Sequence, residues 1–163
     1  MSRSTTPSGL VSLVRDGALL PATAGRALIR ARYRDAVDES DPSRRRSVRV
    51  FGAALSSCLP AYLIVLGAGV LSVLRGLLYG VVDRGPYDNS WGGPSRAGAW
   101  AAHVGVAVGI VLCCVALFAG LGLLQRRWAV LVEGRRPALW AIVVTAVVAV
   151  VSVFVIVGWL RQI

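Results

Sequence analysis

The chain has 163 residues, of which 56% are hydrophobic and 16% charged, and its mean hydropathy is +0.67. A soluble domain usually carries about 25% charged and 45–50% apolar residues, so this composition excludes an ordinary water-soluble globular domain. All 18 basic residues are Arg, against eight acidic residues, which gives a net charge of +10. We therefore expect the anionic surface of a membrane as a partner, and no nucleic acid.

Residues 1–49 are predicted to form an Arg-rich cytoplasmic arm with one or two short surface helices. The first helix has an apolar face, which carries Leu10, Val11, Leu13, Val14 and Ala18. The second candidate helix runs from Thr23, as a possible N-cap, to about Val37. A helix of about 11 residues is marginal in water, so a membrane or a partner would have to support the first one. The arm either docks a partner or lipid, or is a tail whose Arg residues set topology; we favour the tail.

Three long apolar stretches follow the arm, and they cover Val50–Val82, Ala97–Leu124 and Pro137–Leu160. The first stretch is interrupted only by Arg75 and the second only by His103, and the third contains no ionisable residue. About 20 helical residues cross a bilayer core of roughly 30 Å, so each stretch can cross once. The Val-rich third stretch would suit a strand in water, but a lone strand leaves its backbone unpaired in lipid, which favours a helix.

The predicted fold is therefore an all-α integral membrane protein with three transmembrane helices. The transmembrane domain covers residues 50–163, with spans at about 50–78, 97–124 and 137–160. The first stretch of 33 residues would be roughly 50 Å long as a helix, which exceeds one upright span. We interpret it as one span with a terminal extension, bent at Pro60, where a Ser hydroxyl could bond the freed carbonyl.

The Arg residues are distributed unequally between the two sides of this topology. The side of the N-terminus and the Gln125–Arg136 loop holds 14 Arg, and the side of the Asp83–Arg96 loop and the C-terminus holds four when Arg75 of the first span is counted with it. The positive-inside rule then predicts a multi-pass protein of the cytoplasmic (inner) membrane, with its N-terminus cytoplasmic and its C-terminus outside. The Arg residues expected to contact anionic headgroups on the cytoplasmic side are Arg44, Arg45, Arg46, Arg49, Arg126, Arg127, Arg135 and Arg136. Residues that fit an aromatic belt at the other interface are Tyr79, Tyr87, Trp91 and Trp100.

One group of polar residues lies near the outer end of the first two spans. Arg75, Tyr79 and Asp83 are spaced four apart and form one helical stripe. In an antiparallel hairpin, His103 falls at a depth comparable to that of Arg75. These four residues are a candidate outer-leaflet polar site for an anionic headgroup or a small anion. The alternative, which we favour from the sequence, is that Arg75 snorkels to the headgroups while His103 bonds a neighbouring backbone group or hydroxyl.

Small residues recur every four positions in all three spans. The second span carries Ala97, Ala101, Gly105, Gly109 and Cys113; the first carries Gly76 and Gly80; the third carries Ala141, Thr145 and Ala149. Small residues let helix backbones approach closely in lipid, where apolar surface alone gives no driving force. We predict helix packing at Ala101, Gly105, Gly109, Gly76 and Gly80. Packing within the chain could use all three stripes, yet three stripes on three helices leave room for one external contact.

Side chains able to perform chemistry are scarce in this sequence. There is one His, and five of the eight acidic residues lie in the arm. Cys58, Cys113 and Cys114 lack zinc-like spacing and are expected to fill space between helices. Nucleotide-binding loops and H-E-x-x-H motifs are absent from the sequence. We therefore expect no enzymatic activity, no cofactor and no metal.

The function expected from these features is that of a small accessory or scaffold subunit, which packs against itself or another membrane protein. The alternative is a subunit of a homo-oligomeric transporter or channel, in which spans from several copies line a pore. A pore should show a polar stripe along one span, whereas the available hydroxyl residues form none; they are Ser56, Ser57, Ser72, Thr145 and Ser152. The absence of a polar stripe favours the accessory subunit over the channel subunit.

Overall fold

The structure, a computed structural model, describes residues 7–37 and 42–162. Within these two ranges the secondary structure is helical, without strands. The helices are α1 (Pro7–Ala18), α2 (Leu20–Val37), α3 (Pro42–Ser57), α4 (Leu59–Val82), α5 (Arg96–Ala129) and α6 (Leu139–Leu160). Three helical segments are long and apolar enough to span a membrane, namely Pro42–Val82, Arg96–Ala129 and Leu139–Leu160. The predictions of an all-α fold and of three such segments are confirmed for this part of the chain.

The first of these segments is helical from Pro42, although its apolar stretch starts only at Val50. Arg is a good helix former, so the helix continues through the basic residues on its N-terminal side. A turn at Cys58 separates α3 from α4, because the Cys58 N–H bonds the Leu55 carbonyl (3.1 Å) in place of the Ala54 carbonyl. The Ser57 hydroxyl donates to the Ala54 carbonyl instead, at 2.7 Å. The sequence predicts a bend at Pro60; in the structure the helix is interrupted two residues earlier, at Cys58.

The described residues divide into two compact units. The first unit contains the residues up to Leu63 together with those from Phe118 onward, and the second contains Ile64–Leu117. A buried apolar cluster forms the core of the first unit; its members are Leu20, Ala24, Ala27, Phe51, Leu55, Cys58, Leu121, Leu124, Trp128 and Ala141. Three of these residues come from α2, within the segment for which the sequence predicts an arm. Helix α2 begins at Leu20, so Thr23 lies inside the helix and the N-cap prediction is wrong.

Helix α1 packs on α5 through two glycines in the first unit. A Cβ atom on Gly17 would collide with the Phe118 carbonyl, and a Cβ on Gly122 would collide with the Leu13 carbonyl. The two backbones can approach this closely because neither glycine has a side chain. An ion pair supports the contact, since the Arg126 guanidinium lies 2.6 Å from an Asp16 carboxylate oxygen. Part of the predicted apolar face stays outside this contact, because Leu10 and Val11 are exposed.

A buried hydrogen bond joins α5 to α6 in the same unit. The Trp128 indole N–H donates to the Thr145 hydroxyl at 2.8 Å, and this hydroxyl donates to the Ala141 carbonyl at 2.7 Å. Thr145 and Ala141 are both buried, so the small-residue stripe of the third span is used inside the first unit. A larger residue at either position would push α6 away from Trp128.

Candidate functional site

In the second unit, α4 and α5 form a hairpin whose contact is made by two glycines of α4. A Cβ atom on Gly76 would lie 2.7 Å from the Ala107 Cβ, and a Cβ on Gly80 would overlap the Trp100 indole. Both positions are buried. The predicted packing residues of the first span therefore lie in the contact between α4 and α5.

The same glycines offer their carbonyl groups to side chains of α5. The Trp100 indole N–H donates to the Gly76 carbonyl at 2.8 Å. The Arg96 Nε donates to the Gly80 carbonyl at 2.6 Å, and its Nη2 bonds the same oxygen. The Gly80 carbonyl is one of the last four of α4, which lack partners within the helix, so the Arg96 bonds satisfy it. The Trp100 bond is an additional one to the Gly76 carbonyl, and both residues of α5 thereby hold the hairpin closed. Trp100, which the sequence predicts as part of an aromatic belt, thus also has a specific packing role.

A cavity of about 480 Å³ opens between α4 and α5 next to the connecting loop; we call it the hairpin cavity. Its polar lining consists of Ser72, Arg75, Tyr79, Ser90 and His103. Its apolar and aromatic lining consists of Gly76, Trp91, Ala102, Val106, Ala107 and Ile110. Arg75, Tyr79 and His103, three residues of the predicted polar site, therefore lie around one cavity.

Tyr79 and His103 form a stacked pair at this cavity. Their ring centroids are 3.5 Å apart and their planes are inclined by 11°. The His103 Nδ1 lies 2.9 Å from the Ala99 carbonyl, one turn earlier in α5, and donates a hydrogen bond to it. This is the backbone contact that the alternative interpretation expects of His103. The bond and the stack together fix the orientation of the imidazole ring.

Arg75 and Asp83 differ in their surroundings, although the sequence places them on one stripe. The Arg75 side chain is exposed and makes no hydrogen bond or ion pair within the described residues. Hydrogen bonds from the Tyr79 hydroxyl and from the Gly85 N–H lower the pKa of the Asp83 carboxyl. The Asp83 carbonyl accepts a bond from the Tyr87 hydroxyl at 2.6 Å. Asp83 therefore organises the loop, and the cavity keeps a cation with no carboxylate paired to it.

The small-residue stripe of the second span faces outward from the hairpin. Ala101, Gly105 and Gly109 are exposed, and we call these three residues the α5 small face. A Cβ atom built on Gly105 or Gly109 would meet no described atom within 4 Å. Ala107, by contrast, is buried against Gly76 on the side of α5 that faces α4. The α5 small face is thus uncovered by the described chain, unlike the stripes of α4 and α6.

The Arg residues predicted to contact headgroups have different partners. Arg126 pairs with Asp16, and Arg135 pairs with Glu133 at 2.7 Å. The Arg127 guanidinium carbon lies 5.7 Å from the centre of the Trp140 ring. The other described side chains of this set are exposed, and they belong to Arg44, Arg46, Arg49 and Arg136. The Arg45 side chain lies outside the described residues.

The sequence analysis does not single out Gly17 of α1 and Gly122 of α5, the two glycines at which these helices pack. Gly17 lies one helical turn after Leu13, and Gly122 lies between Phe118 and Arg126 at intervals of four, so both occupy positions typical of small packing residues. Their role in packing depends on a contact between segments that are more than 100 residues apart in the sequence. A search for small residues outside the three spans would have found Gly17.

Comparison with protein-family models, with curated proteins and with solved structures finds no match. In the described part of the chain, no three His, Cys, Asp or Glu side chains come close enough together to hold a metal ion. The arrangement offers two features on which function can depend. One is the exposed α5 small face, and the other is the hairpin cavity with its unpaired Arg75.

Proposed function

We propose that the protein is a multi-pass protein of the cytoplasmic membrane and acts as a non-enzymatic accessory or scaffold subunit. It packs through the α5 small face against a second copy of itself or another membrane protein. The observation that carries this proposal is the exposure of Gly105 and Gly109, because a Cβ at either position would meet open space. In lipid, such a face lets a second helix approach closely enough for extensive backbone contact.

Insertion into a membrane is supported by how little of each apolar helix is covered. The most apolar windows of the three candidate spans are only 11%, 22% and 17% buried. Large apolar side chains such as Leu71, Val143 and Phe154 are more than half exposed. Each would cost about 1.5–3 kcal/mol if it faced water and not an apolar surrounding. A bilayer removes this cost over the whole length of the helices.

The proposed orientation places the N-terminus and the Gln125–Arg136 loop in the cytoplasm. This orientation rests on the count of 14 Arg against four on the two sides. The exposed Arg residues at the start of α3 and in the α5–α6 loop then lie at the anionic cytoplasmic surface. There each could contribute about 1 kcal/mol of attraction to the headgroups.

The packing role is favoured over a pore because three hydroxyl groups of the candidate spans are already bonded within their own helices. Thr145 donates to the Ala141 carbonyl, Ser152 to the Val148 carbonyl at 2.6 Å, and Ser57 to the Ala54 carbonyl. Thr145 and Ser152 are also buried. A water-filled pore needs polar groups that line one exposed face, and these three do not supply such a lining.

The native cysteines provide the test of this proposal. Cys113 is exposed, one turn after Gly109, whereas Cys58 and Cys114 are buried. Two copies packed through the α5 small face would bring their Cys113 thiols close together. We therefore expect a short thiol-specific crosslinker, added to native membranes, to give a dimer that Cys113→Ser abolishes. Gly105→Leu and Gly109→Leu should abolish it too, because a bulky side chain separates the backbones.

The matched control is Gly158→Leu, which makes the same change at an exposed position of α6 where a Cβ would also meet open space. This variant should keep the dimer. If the wild type does not crosslink to itself but retains another membrane protein during purification, and Gly105→Leu releases it, the partner is that protein. If Gly105→Leu alters neither the dimer nor any retained partner, the proposal is wrong.

A further inference from the structure

The hairpin cavity combines one cation, an aromatic rim and an apolar floor in a single opening. Going along α4 away from the loop, its lining passes from Tyr79 to Arg75 and Ser72; along α5 it passes from His103 to Val106 and Ile110. On α5, the one polar lining residue, His103, therefore lies toward the loop, and Val106 and Ile110 lie deeper, whereas α4 lines the cavity with polar side chains as far as Ser72. Its volume of about 480 Å³ falls within the range of 300–1,000 Å³ that is usual for small-molecule sites.

We propose that the hairpin cavity binds an anionic phospholipid, whose phosphodiester contacts Arg75 and whose acyl chain lies against Val106 and Ile110. This site is separate from the α5 small face and does not depend on the packing role proposed above. The bound phospholipid would belong to the leaflet on the side of the Asp83–Arg96 loop. The argument has three steps, which concern charge, shape and rigidity.

The charge step concerns the missing counterion of Arg75. Its guanidinium has no hydrogen-bonding or ionic partner within the described residues. The carboxylate nearest in sequence, Asp83, accepts the Gly85 N–H at 3.1 Å and lies outside the cavity lining. Arg75 is seven residues from the end of α4, which is roughly 10 Å along the helix axis. An Arg at this depth is costly unless it meets an anion or water, and a phosphodiester offers the two oxygens that a guanidinium binds best.

The shape step distinguishes a lipid from a small free anion. A free phosphate could use Arg75 and the polar rim, but it would make no use of the apolar floor of Val106, Ala107 and Ile110. An acyl chain covers that floor, and each buried methylene adds about 0.8 kcal/mol. On the α5 side, the order of polar and apolar lining therefore matches an amphiphile whose head faces the loop.

The rigidity step concerns the rim of the cavity. His103 is held by the Ala99 carbonyl and by the Tyr79 ring, and Arg96 and Trp100 hold α5 against α4. The rim is therefore formed before a ligand arrives, which reduces the ordering cost of binding. Trp91 also lines the cavity, so its fluorescence reports on what lies there.

The test uses the full chain in vesicles and compares two lipids that carry the same dibrominated acyl chains, which quench tryptophan on contact. One has the anionic phosphatidylglycerol headgroup and the other the zwitterionic phosphatidylcholine headgroup. The Trp91 signal is the difference between the wild type and Trp91→Phe. We expect phosphatidylglycerol to quench this signal at a lower mole fraction than phosphatidylcholine. We expect the wild type to prefer phosphatidylglycerol over phosphatidylcholine by at least tenfold, and Arg75→Gln to remove this preference. A factor of ten corresponds to the loss of one charge-assisted contact.

The matched control is Arg84→Gln, which removes the same charge from an exposed loop position outside the cavity lining. It should leave the preference unchanged and exclude a general charge effect. Val106→Phe should weaken quenching of Trp91 by filling the apolar floor, without removing the cation and without adding a further tryptophan that the brominated lipids would quench. Thermal melting of each variant checks that the hairpin is intact.

Two results would overturn the proposal. If Arg75→Gln keeps the preference for phosphatidylglycerol, Arg75 only reaches to the headgroup layer and binds nothing in the cavity. If inorganic phosphate, added at constant ionic strength, relieves the quenching by phosphatidylglycerol, the site takes a free anion and the lipid assignment is wrong.

Discussion

Gly17 of α1 and Gly122 of α5 face each other so closely that a Cβ atom on either would lie about 3 Å from the backbone nitrogen of the other. The Asp16–Arg126 ion pair adjoins this contact. An exposed ion pair contributes at most about 1 kcal/mol, so close packing of α1 on α5 must also help to hold α1 in place. This explains how a helix of 12 residues, marginal on its own, can be stable here.

We predict that Gly17→Ala releases α1 from α5. The added methyl group would collide with the Phe118 carbonyl, which belongs to the backbone and cannot rotate away. Overpacking of this kind costs about 1–3 kcal/mol. The expected result is faster trypsin cleavage after Arg15, whose side chain is exposed, together with a lower melting temperature.

Gly9→Ala is the matched control on the same helix, because a Cβ at Gly9 would meet no described atom within 4 Å. Alanine favours a helix over glycine by up to about 1 kcal/mol, so this variant should be cleaved no faster than the wild type. Equal cleavage of the Gly17 and Gly9 variants would show that α1 does not rest on α5 as described.

A second prediction concerns the buried bond between Trp128 and Thr145. Thr145→Val removes the hydroxyl that accepts the indole N–H and leaves that donor buried without its partner. Hydrogen bonds between helices in membranes contribute about 0.6 kcal/mol on average and up to about 1.7 kcal/mol. We expect a loss of about 1 kcal/mol in the free energy of unfolding, measured by titration with a denaturing detergent.

The same change should cost less in a Trp128→Phe background, because no donor is then left unpaired. The difference between the two backgrounds is the coupling energy of the pair. Thr145→Ser keeps the hydroxyl and should lose little in either background. A coupling near zero would mean that the bond does not hold α5 to α6.

A third prediction concerns topology. A reporter fused after Ile163 should be active outside the cytoplasmic membrane, and one fused at Gly134 should be active in the cytoplasm. The reason is the excess of Arg on the side of the Gln125–Arg136 loop. Alkaline phosphatase and green fluorescent protein at each position give opposite signals and control for expression. Cytoplasmic activity at both positions would contradict the three-span arrangement.

The sequence was most informative where hydropathy and simple spacing decide the structure. The apolar stretches predicted three helices, and the ends of α5 and α6 differ from the predicted spans by at most five residues. Arg75 and His103 were predicted at comparable depth because both helices of a hairpin rise by the same distance per residue. The structure places both at the hairpin cavity.

Sequence alone could not distinguish which small-residue stripe would be covered. Gly76 with Gly80 and Gly105 with Gly109 have the same spacing and similar neighbours in the sequence. In the structure, the Trp100 indole fills the space above Gly80 and Ala107 packs on Gly76, while Gly105 and Gly109 lie on a different side of α5. Which of the two stripes is covered depends on the packing of side chains across the hairpin, and no local sequence pattern specifies this packing.

The ion pair between Asp16 and Arg126 joins residues that are 110 positions apart. A ribosome adds about 5–20 residues per second, so roughly 5–20 s pass between the synthesis of the two. During this interval α1 has neither its glycine contact nor its counterion, and its apolar side chains are open to other binders. The docking of α1 is therefore a late event, which can occur only after the C-terminal half of α5 has been made.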